Sequence, residues 1–266
     1  MGKPIVFLHG GILSTYDYSR VLDLVHRDCR AIAFDRPRYG YSERPRREKV
    51  TATVQARLLH GALQKVGVER PVLAGHSMSG PLVLSYALNY PREISGAVLL
   101  GAAVYGGEAY PASRGNLLLS RLITTPVIGD FLSNTVLPPL GCRIVNSVVK
   151  ATFAPDPAPP EYLKLASVLW PRPGQIKANW EDILYFSPTA SQLSPRYPEI
   201  WVPVAIVIGE QDPFLDPKLQ SNRLHRELPH SRLIKLPDTS HMIPTVRPEA
   251  LFDALRWVWS ETADQI

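Results

Sequence analysis

A doubly wound, mostly parallel α/β fold is predicted by three features of this 266-residue chain. Short apolar runs recur along it without the alternation of a half-exposed strand, as strands buried on both faces require. Helical stretches separate those runs. Polar residues suited to chemistry gather just after the runs, at what would be the carboxyl edge of the sheet. With 45% hydrophobic residues the chain can bury one large core, and a single domain over residues 1–266 is expected.

The first run, Ile5-Val6-Phe7-Leu8, ends in His9-Gly10-Gly11, where glycine lets the backbone turn sharply and direct N–H groups inward. Asp17 to Arg27 follows as a helical stretch with Val21, Leu22, Leu24 and Val25 apolar. Ala31-Ile32-Ala33-Phe34 is the second strand and leads into the loop Asp35 to Ser42. The third, Pro71-Val72-Leu73-Ala74, runs into Gly75-His76-Ser77-Met78-Ser79-Gly80 and then a helical run, Pro81 to Ala87. A strand, a tight turn with Ser77 at its tip and a helix make a nucleophile elbow, which lifts the hydroxyl clear of the sheet. Crowding there demands small neighbours. Gly75 meets the demand, and Ser79 stands where glycine is usual. The remaining strands are Ala97 to Leu100, Val204 to Ile208 and Arg232 to Leu236. The last two lead into Gly209-Glu210-Gln211-Asp212-Pro213 and Pro237-Asp238-Thr239-Ser240-His241-Met242.

Through these motifs, taken in order, the chain resembles the α/β-hydrolase family over nearly its whole length. The resemblance rests on His9-Gly10-Gly11, on Asp35-Arg36-Pro37 with Gly40-Tyr41-Ser42, on the Ser77 elbow, on Gly209-x-x-Asp212, and on His241 before a carboxy-terminal helix. It implies a triad in the order Ser, Asp, His. Ser77 would be the nucleophile, which needs an adjacent base because a hydroxyl attacks poorly at its own pKa. His241 would take and return the proton near neutral pH. Asp212 would hold the imidazole in the productive tautomer and stabilise the imidazolium. Backbone N–H groups of Gly11 and Met78 would form the oxyanion hole. Asp216 competes for the place of the acid, but Asp216-Pro217 reads as an N-cap followed by proline, which leaves Asp212 free. His9 and Asp35 are expected to shape their own turns.

Tyr105 to Pro195 interrupts the alternation of strands and helices. Fourteen of the 26 prolines lie between Pro111 and Pro203, among apolar helical stretches at 117–119, 128–132 and 163–170. Family members carry a helical cap at this place, so a cap over 105–195 is expected within the domain. The run Pro155 to Pro160 would join its helices in extended form. Trp170, Trp180, Tyr185 and Phe186 either touch substrate or pack the cap onto the core.

Composition narrows the partners. No run of 18 apolar residues is present, so no membrane span is expected. Met1-Gly2-Lys3-Pro4 enters the first strand without a secretory pattern, and Pro4 and Phe7 fit a myristoylation signal poorly. Cys29 and Cys142 are too few for a disulfide framework, which points to a reduced, cytoplasmic setting. Neither a metal-ligand spacing nor a dinucleotide glycine fingerprint appears, so chemistry without a cofactor is expected. The net charge is +5, and the cluster Arg36, Arg38, Arg44, Arg46, Arg47 and Lys49 reads as a solvated loop. No nucleic-acid motif accompanies it.

Serine at the elbow argues against the family's dehalogenases and epoxide hydrolases, which use Asp there. Esterases, lipases, thioesterases, carbon–carbon bond hydrolases and cofactor-free perhydrolases share acyl-enzyme chemistry and remain. A mostly apolar cap favours carboxylic esters of small to medium hydrophobic acyl groups. Carbon–carbon hydrolysis would call on polar cap residues, Arg172 or Asn179, to hold a dienol acid. A non-catalytic ligand-binding member is the alternative of another class, and the intact triad weighs against it. In the family an antiparallel strand pair precedes the strand that ends at His-Gly, whereas only Met1 to Pro4 precede it here. Ala31 to Phe34 is therefore expected to form a bare edge, covered by strands encoded upstream or by self-association.

Overall fold

The computed structural model describes residues 2–11, 13–25, 29–45, 47–110 and 112–263. Its centre is a sheet of six parallel strands: β1 (Lys3–Leu8), β2 (Cys29–Phe34), β3 (Val72–His76), β4 (Gly96–Leu100), β5 (Val204–Gly209) and β6 (Ser231–Leu236). They lie in the order β2-β1-β3-β4-β5-β6, so β2 is an edge, as the family's order implies. Every residue of β3, β4 and β5 is buried, which is why their sequences are apolar throughout.

Successive residues of each strand divide between two cores, one on each face. Val6, Leu8, Leu73, Leu99 and Ile206 meet Leu59 and Leu63 of α2 (Ala52–Lys65) and Leu82, Val83 and Tyr86 of α3 (Gly80–Asn89). Ile5, Phe7, Ala74, Val98, Leu100 and Val207 meet the other face. There Val21 and Val25 of α1 (Ser19–Val25) pack with Leu251, Leu255 and Val258 of a helix close to the carboxyl end (Pro248–Ala263). The helical stretch expected from Asp17 opens with a short tight turn, Thr15–Tyr18, and then becomes α1; its expected end, Arg27, lies outside the described residues.

Between β4 and β5 the chain forms no strand among the described residues. It builds α4 (Arg114–Thr124), α5 (Ile128–Asn134), α6 (Leu137–Phe153), α7 (Pro160–Leu169) and α8 (Pro173–Leu193). Proline sits in the first turn of α6, α7 and α8, where its missing N–H costs nothing and its fixed φ favours the helix. Pro111, the first of the prolines counted above, is outside the described residues. The chain then continues through α9 (Ser221–Glu227), α10 (Ile243–Val246) and α11, the helix Pro248–Ala263.

One ion-pair cluster ties this helical segment to the sheet. Arg36, after β2, donates from Nη1 to Asp182 Oδ2 at 2.7 Å, and Arg44 donates from Nη2 to Asp182 Oδ1 at 3.0 Å. Gln55 and Tyr39 donate to the same carboxylate at 3.2 Å each. Burial disfavours the Arg36 charge, yet Asp182 holds the guanidinium pKa above its usual value. The expectation of a solvated basic loop is thus corrected in part. Arg36 and Arg44 are buried, 3% and 9% exposed, while Arg38, Arg47 and Lys49 face water and Arg46 lies outside the described residues. The neutralising carboxylate arrives from a helix far away in sequence, so the local charge pattern could not reveal it.

Removing one partner of a buried ion cluster leaves uncompensated charge. Asp182→Ala should lower the unfolding free energy by about 3–5 kcal/mol, read as a lower urea midpoint, because buried Arg36 loses its counter-charge and Arg44 keeps only Glu181, 2.6 Å from its Nε.

Candidate active site

The chain leaves β1 for β2 on one side and returns past β1 to β3 on the other. Loops after β1 and β3 therefore diverge and open a crevice at the carboxyl edge, the place where parallel α/β sheets hold ligands. Ser77 stands there directly after β3 with φ +52°, a left-handed conformation that non-glycine residues rarely adopt and that costs of order 1 kcal/mol or more. The turn closes only because its neighbours are small. A Cβ on Gly75 would come within 2.6 Å of Val83 Cγ2, and one on Gly80 within 2.5 Å of the Ala103 carbonyl oxygen. Ser79, where glycine is usual, fits because its hydroxyl donates to the His9 carbonyl at 2.5 Å. That bond links the elbow to the loop after β1.

The other two groups come from the loops after β5 and β6. A Cβ on Gly209 would meet the carbonyl oxygens of Thr239 and Ser240 at 2.3 and 2.4 Å, so glycine lets the two loops touch. His241 Nε2 lies 2.8 Å from Ser77 Oγ, and its Nδ1 lies 2.6 Å from Asp212 Oδ2. With a carboxylate at Nδ1, the imidazole carries its proton there and leaves Nε2 to accept from the serine. Asp212 Oδ1 accepts the backbone N–H groups of Phe214 and Leu215 at 2.8 and 3.2 Å. Burial would raise the Asp212 carboxyl, but the His241 bond and charge, together with those amides, hold it below the usual carboxylate range. Asp216 is exposed and accepts from the Lys218 N–H at 2.8 Å, where it caps a turn.

A family model described as the alpha/beta hydrolase fold matches residues 3–248. The chain belongs to the α/β-hydrolase family. Among curated relatives, an uncharacterized hydrolase, YugF, of Bacillus subtilis is 26% identical over 256 residues, covering 94% of this chain and 87% of its own. A 2-hydroxy-6-oxononadienedioate/2-hydroxy-6-oxononatrienedioate hydrolase of Comamonas testosteroni is 26% identical over 257 residues, covering 90% and 82%. In structure, an alpha/beta hydrolase fold protein from Burkholderia ambifaria superposes with a TM-score of 0.79 at 22% identity, covering 96% of this chain and 90% of that one. A thermophilic esterase from Thermogutta terrifontis does so with 0.78 at 19%, covering 98% and 91%. At these identities the structural likeness establishes the fold.

In this α/β hydrolase, Ser77 and His241 open onto a cavity of about 220 Å³. Gly11 and Met78 line it beside them, with Tyr110, Val148, Thr152, Trp170, Asn179, Phe214 and Leu215. Of the four aromatic residues singled out from sequence, Trp170 alone is part of this wall. Phe186 stands one layer back, stacked on Tyr110 with ring centroids 4.0 Å apart. Tyr185 lines a separate small recess with Arg36, Gln55 and Asp182. Trp180 is half-buried on α8, away from the lining. The reason is helical: Asn179, Asp182 and Phe186 form the inward stripe of α8, and Trp180 and Tyr185 fall beside it. Arg172 is also turned elsewhere, donating to the Gly40 carbonyl at 2.6 Å. A larger cavity, about 390 Å³, lies between β2 and α2, and neither Ser77 nor His241 lines it.

Beneath the site lie buried polar groups, of which His76 and Asp17 had no role assigned from sequence. His9 accepts the Arg36 backbone N–H at Nε2, 2.9 Å, and bonds the Gly10 carbonyl through Nδ1 at 2.8 Å, which shapes the loop as expected. Burial, then Arg36, pushes its pKa well below the usual value. His76 donates from Nε2 to the His241 carbonyl at 2.9 Å, and burial, then the charge of His241, lowers its pKa to about 3. Asp17 accepts from the Tyr162 hydroxyl of α7 at 2.7 Å and from the Gly10 N–H at 3.4 Å, with His76 Nδ1 4.0 Å away. Burial raises the Asp17 carboxyl to about 6. The one sequence signal was an acidic residue between Tyr16 and Tyr18 in a segment that turns an apolar face to the core.

If Asp212 is the partner of His241, Asp212→Asn should keep the fold and cut turnover by orders of magnitude by favouring the wrong tautomer, while Asp216→Asn leaves turnover unchanged. Asp17 makes a separate prediction. Its pKa is higher folded than unfolded, so the native state binds the extra proton and loses stability as pH rises from about 4 to 6. The loss totals of order 3 kcal/mol and persists above that range. Asp17→Asn removes it, so urea unfolding should show the variant gaining on the wild type from pH 4 to pH 7.

Proposed function

We propose that this hydrolase cleaves carboxylic esters of small to medium hydrophobic acyl groups through an acyl-enzyme intermediate on Ser77. Ser77 Oγ attacks the ester carbonyl carbon while His241 Nε2 accepts its proton. His241 then returns that proton to the departing alcohol. Water enters, gives a proton to His241 and attacks the acyl-enzyme, and the acid leaves as Ser77 regains its hydrogen. Asp212 stabilises the imidazolium of both steps. Backbone N–H groups of Gly11 and Met78 receive the oxyanion, a role worth ~3–4 kcal/mol per donor in comparable hydrolases.

The observation that carries this proposal is the unbroken line Asp212–His241–Ser77, at 2.6 and 2.8 Å, opening onto a mostly apolar cavity. A cavity of about 220 Å³ suits an acyl group of modest length. Carbon–carbon bond hydrolysis, the named activity of the Comamonas testosteroni relative, is the second reading, with Asn179 in the wall as its polar contact. A dienoate substrate carries a carboxylate, however, and among the described residues no Arg or Lys lines the cavity. Burying that charge without a counter-ion is costly.

A fluorophosphonate probe should label the wild type at Ser77 and leave Ser77→Ala unlabelled. Ser77→Ala should also lose ~10³-fold or more in kcat on chromogenic esters of graded acyl length. Labelling of the variant at the wild-type rate would remove Ser77 from the mechanism. Faster turnover of a 2-hydroxy-6-oxo-dienoate than of any ester would replace the first reading by the second.

A further inference from the structure

Nine of the sixteen large apolar side chains that stand exposed among the described residues fall between Leu118 and Ile144. They come from consecutive helices: Leu118 and Leu122 sit one turn apart on α4, Phe131 on α5, and Leu140 and Ile144 one turn apart on α6. Val127, between α4 and α5, is 79% exposed, Leu118 70% and Phe131 63%. All three helices pack against α8, and the buried positions of α4 and α5 are Ser120, Ile123, Gly129 and Ser133. The exposed residues of α4 and α5 therefore lie away from α8, and α6, which packs on α5 and buries Val145, Val149 and Phe153 against α7, carries the exposed surface onward through Leu140 and Ile144. Single exposed apolar residues are ordinary, but a patch of this density marks an interaction surface.

Charge on the same stretch selects the partner. Arg114, Arg121, Arg143 and Lys150 are all exposed, and the one carboxylate, Asp130, is ion-paired with Lys177. A second copy docked through the same face would bring these cations against their own counterparts. An anionic surface with an apolar interior answers both features together. The patch is also continuous with the site. On α6 the residues Leu140, Ile144, Val148 and Thr152 follow at steps of four, and the last two line the Ser77 cavity.

We propose that the outer face of α4, α5 and α6 docks on an anionic lipid surface. Its apolar side chains enter the boundary between headgroups and acyl chains, and Arg114, Arg121, Arg143 and Lys150 meet lipid phosphates. Docking would bring the α6 stripe, and with it the Ser77 cavity, to a phase where apolar esters concentrate. That consequence rests on the ester reading; docking itself does not.

The test is sedimentation of the whole chain with vesicles of equal parts phosphatidylglycerol and phosphatidylcholine, beside vesicles of phosphatidylcholine alone. The wild type should sediment with the first and largely remain in solution with the second. Leu118→Ser combined with Phe131→Ser should weaken binding about tenfold or more, since two apolar side chains leave the lipid. Arg121→Glu combined with Arg143→Glu should abolish the preference for anionic vesicles. Fluorophosphonate labelling and thermal unfolding report that each variant is folded. A wild type that labels normally yet stays in solution with both vesicle types overturns the docking proposal and leaves the ester reading standing. Vesicle binding without ester turnover does the reverse. A dimer in light scattering that the Leu118 and Phe131 changes dissolve would also overturn it, by giving the face to a second copy of the chain.

Discussion

The buried guanidinium of Arg36 is the interaction on which the rest of the site depends. Its Nε donates to the His9 carbonyl at 3.0 Å and its Nη2 to the Gly10 carbonyl at 2.9 Å, and its Nη1 reaches Gln55 and Asp182. A buried cation is tolerated only when its donors are satisfied and its charge is opposed. Here those needs are met by the loop after β1 on one side and by α8 on the other. One side chain thus fixes the carbonyls of His9 and Gly10 outward from the cavity and fastens the helical segment above it. The planar fork of arginine suits this double duty in a way that the point charge of lysine does not.

Around that anchor, the site is an exercise in close approach. Four loops converge from the carboxyl ends of β1, β3, β5 and β6, and they can touch only where side chains are absent. Gly209 admits the loop of His241, Gly75 and Gly80 admit the turn of Ser77, and Gly101 takes a left-handed φ of +46° beside Asp212 and His241. Beneath them the neutral imidazole of His76 holds the His241 backbone through its carbonyl. The imidazole that faces Ser77 is thereby fixed at its main chain as well as at its ring.

Buried polar contacts fasten the helical segment at two places in addition to its apolar packing. Asp182 of α8 takes Arg36 and Arg44, and Tyr162 of α7 reaches down to Asp17. Its own apolar core, around Val145, Val149, Phe153 and Tyr162, continues onto Leu13 and Met242 next to the site. Its outer face keeps a run of apolar side chains in water, a free-energy cost that the fold itself does nothing to relieve.

The parallel sheet and the candidate triad were both legible along the chain. The runs of β3, β4 and β5, buried on both faces, read as central parallel strands, and Ser77, Asp212 and His241 are legible because each follows a strand at a motif that glycine or proline makes locally specific. Ser79 departed from the pattern without harm, since a hydroxyl there finds the His9 carbonyl. What surrounds these groups is set by the assembled fold. Whether a residue of α8 faces the cavity depends on the helix's rotation about its axis, set by the Asp182 pair, so Asn179 lines the wall and Trp180 and Tyr185 do not. Arg36 read as part of a solvated loop, and Asp17 and His76 carried no local sign of their contacts, because the partners Asp182, Tyr162 and His241 lie more than a hundred residues away along the chain. Local patterns record local physics, and a buried polar network is a property of the assembled fold.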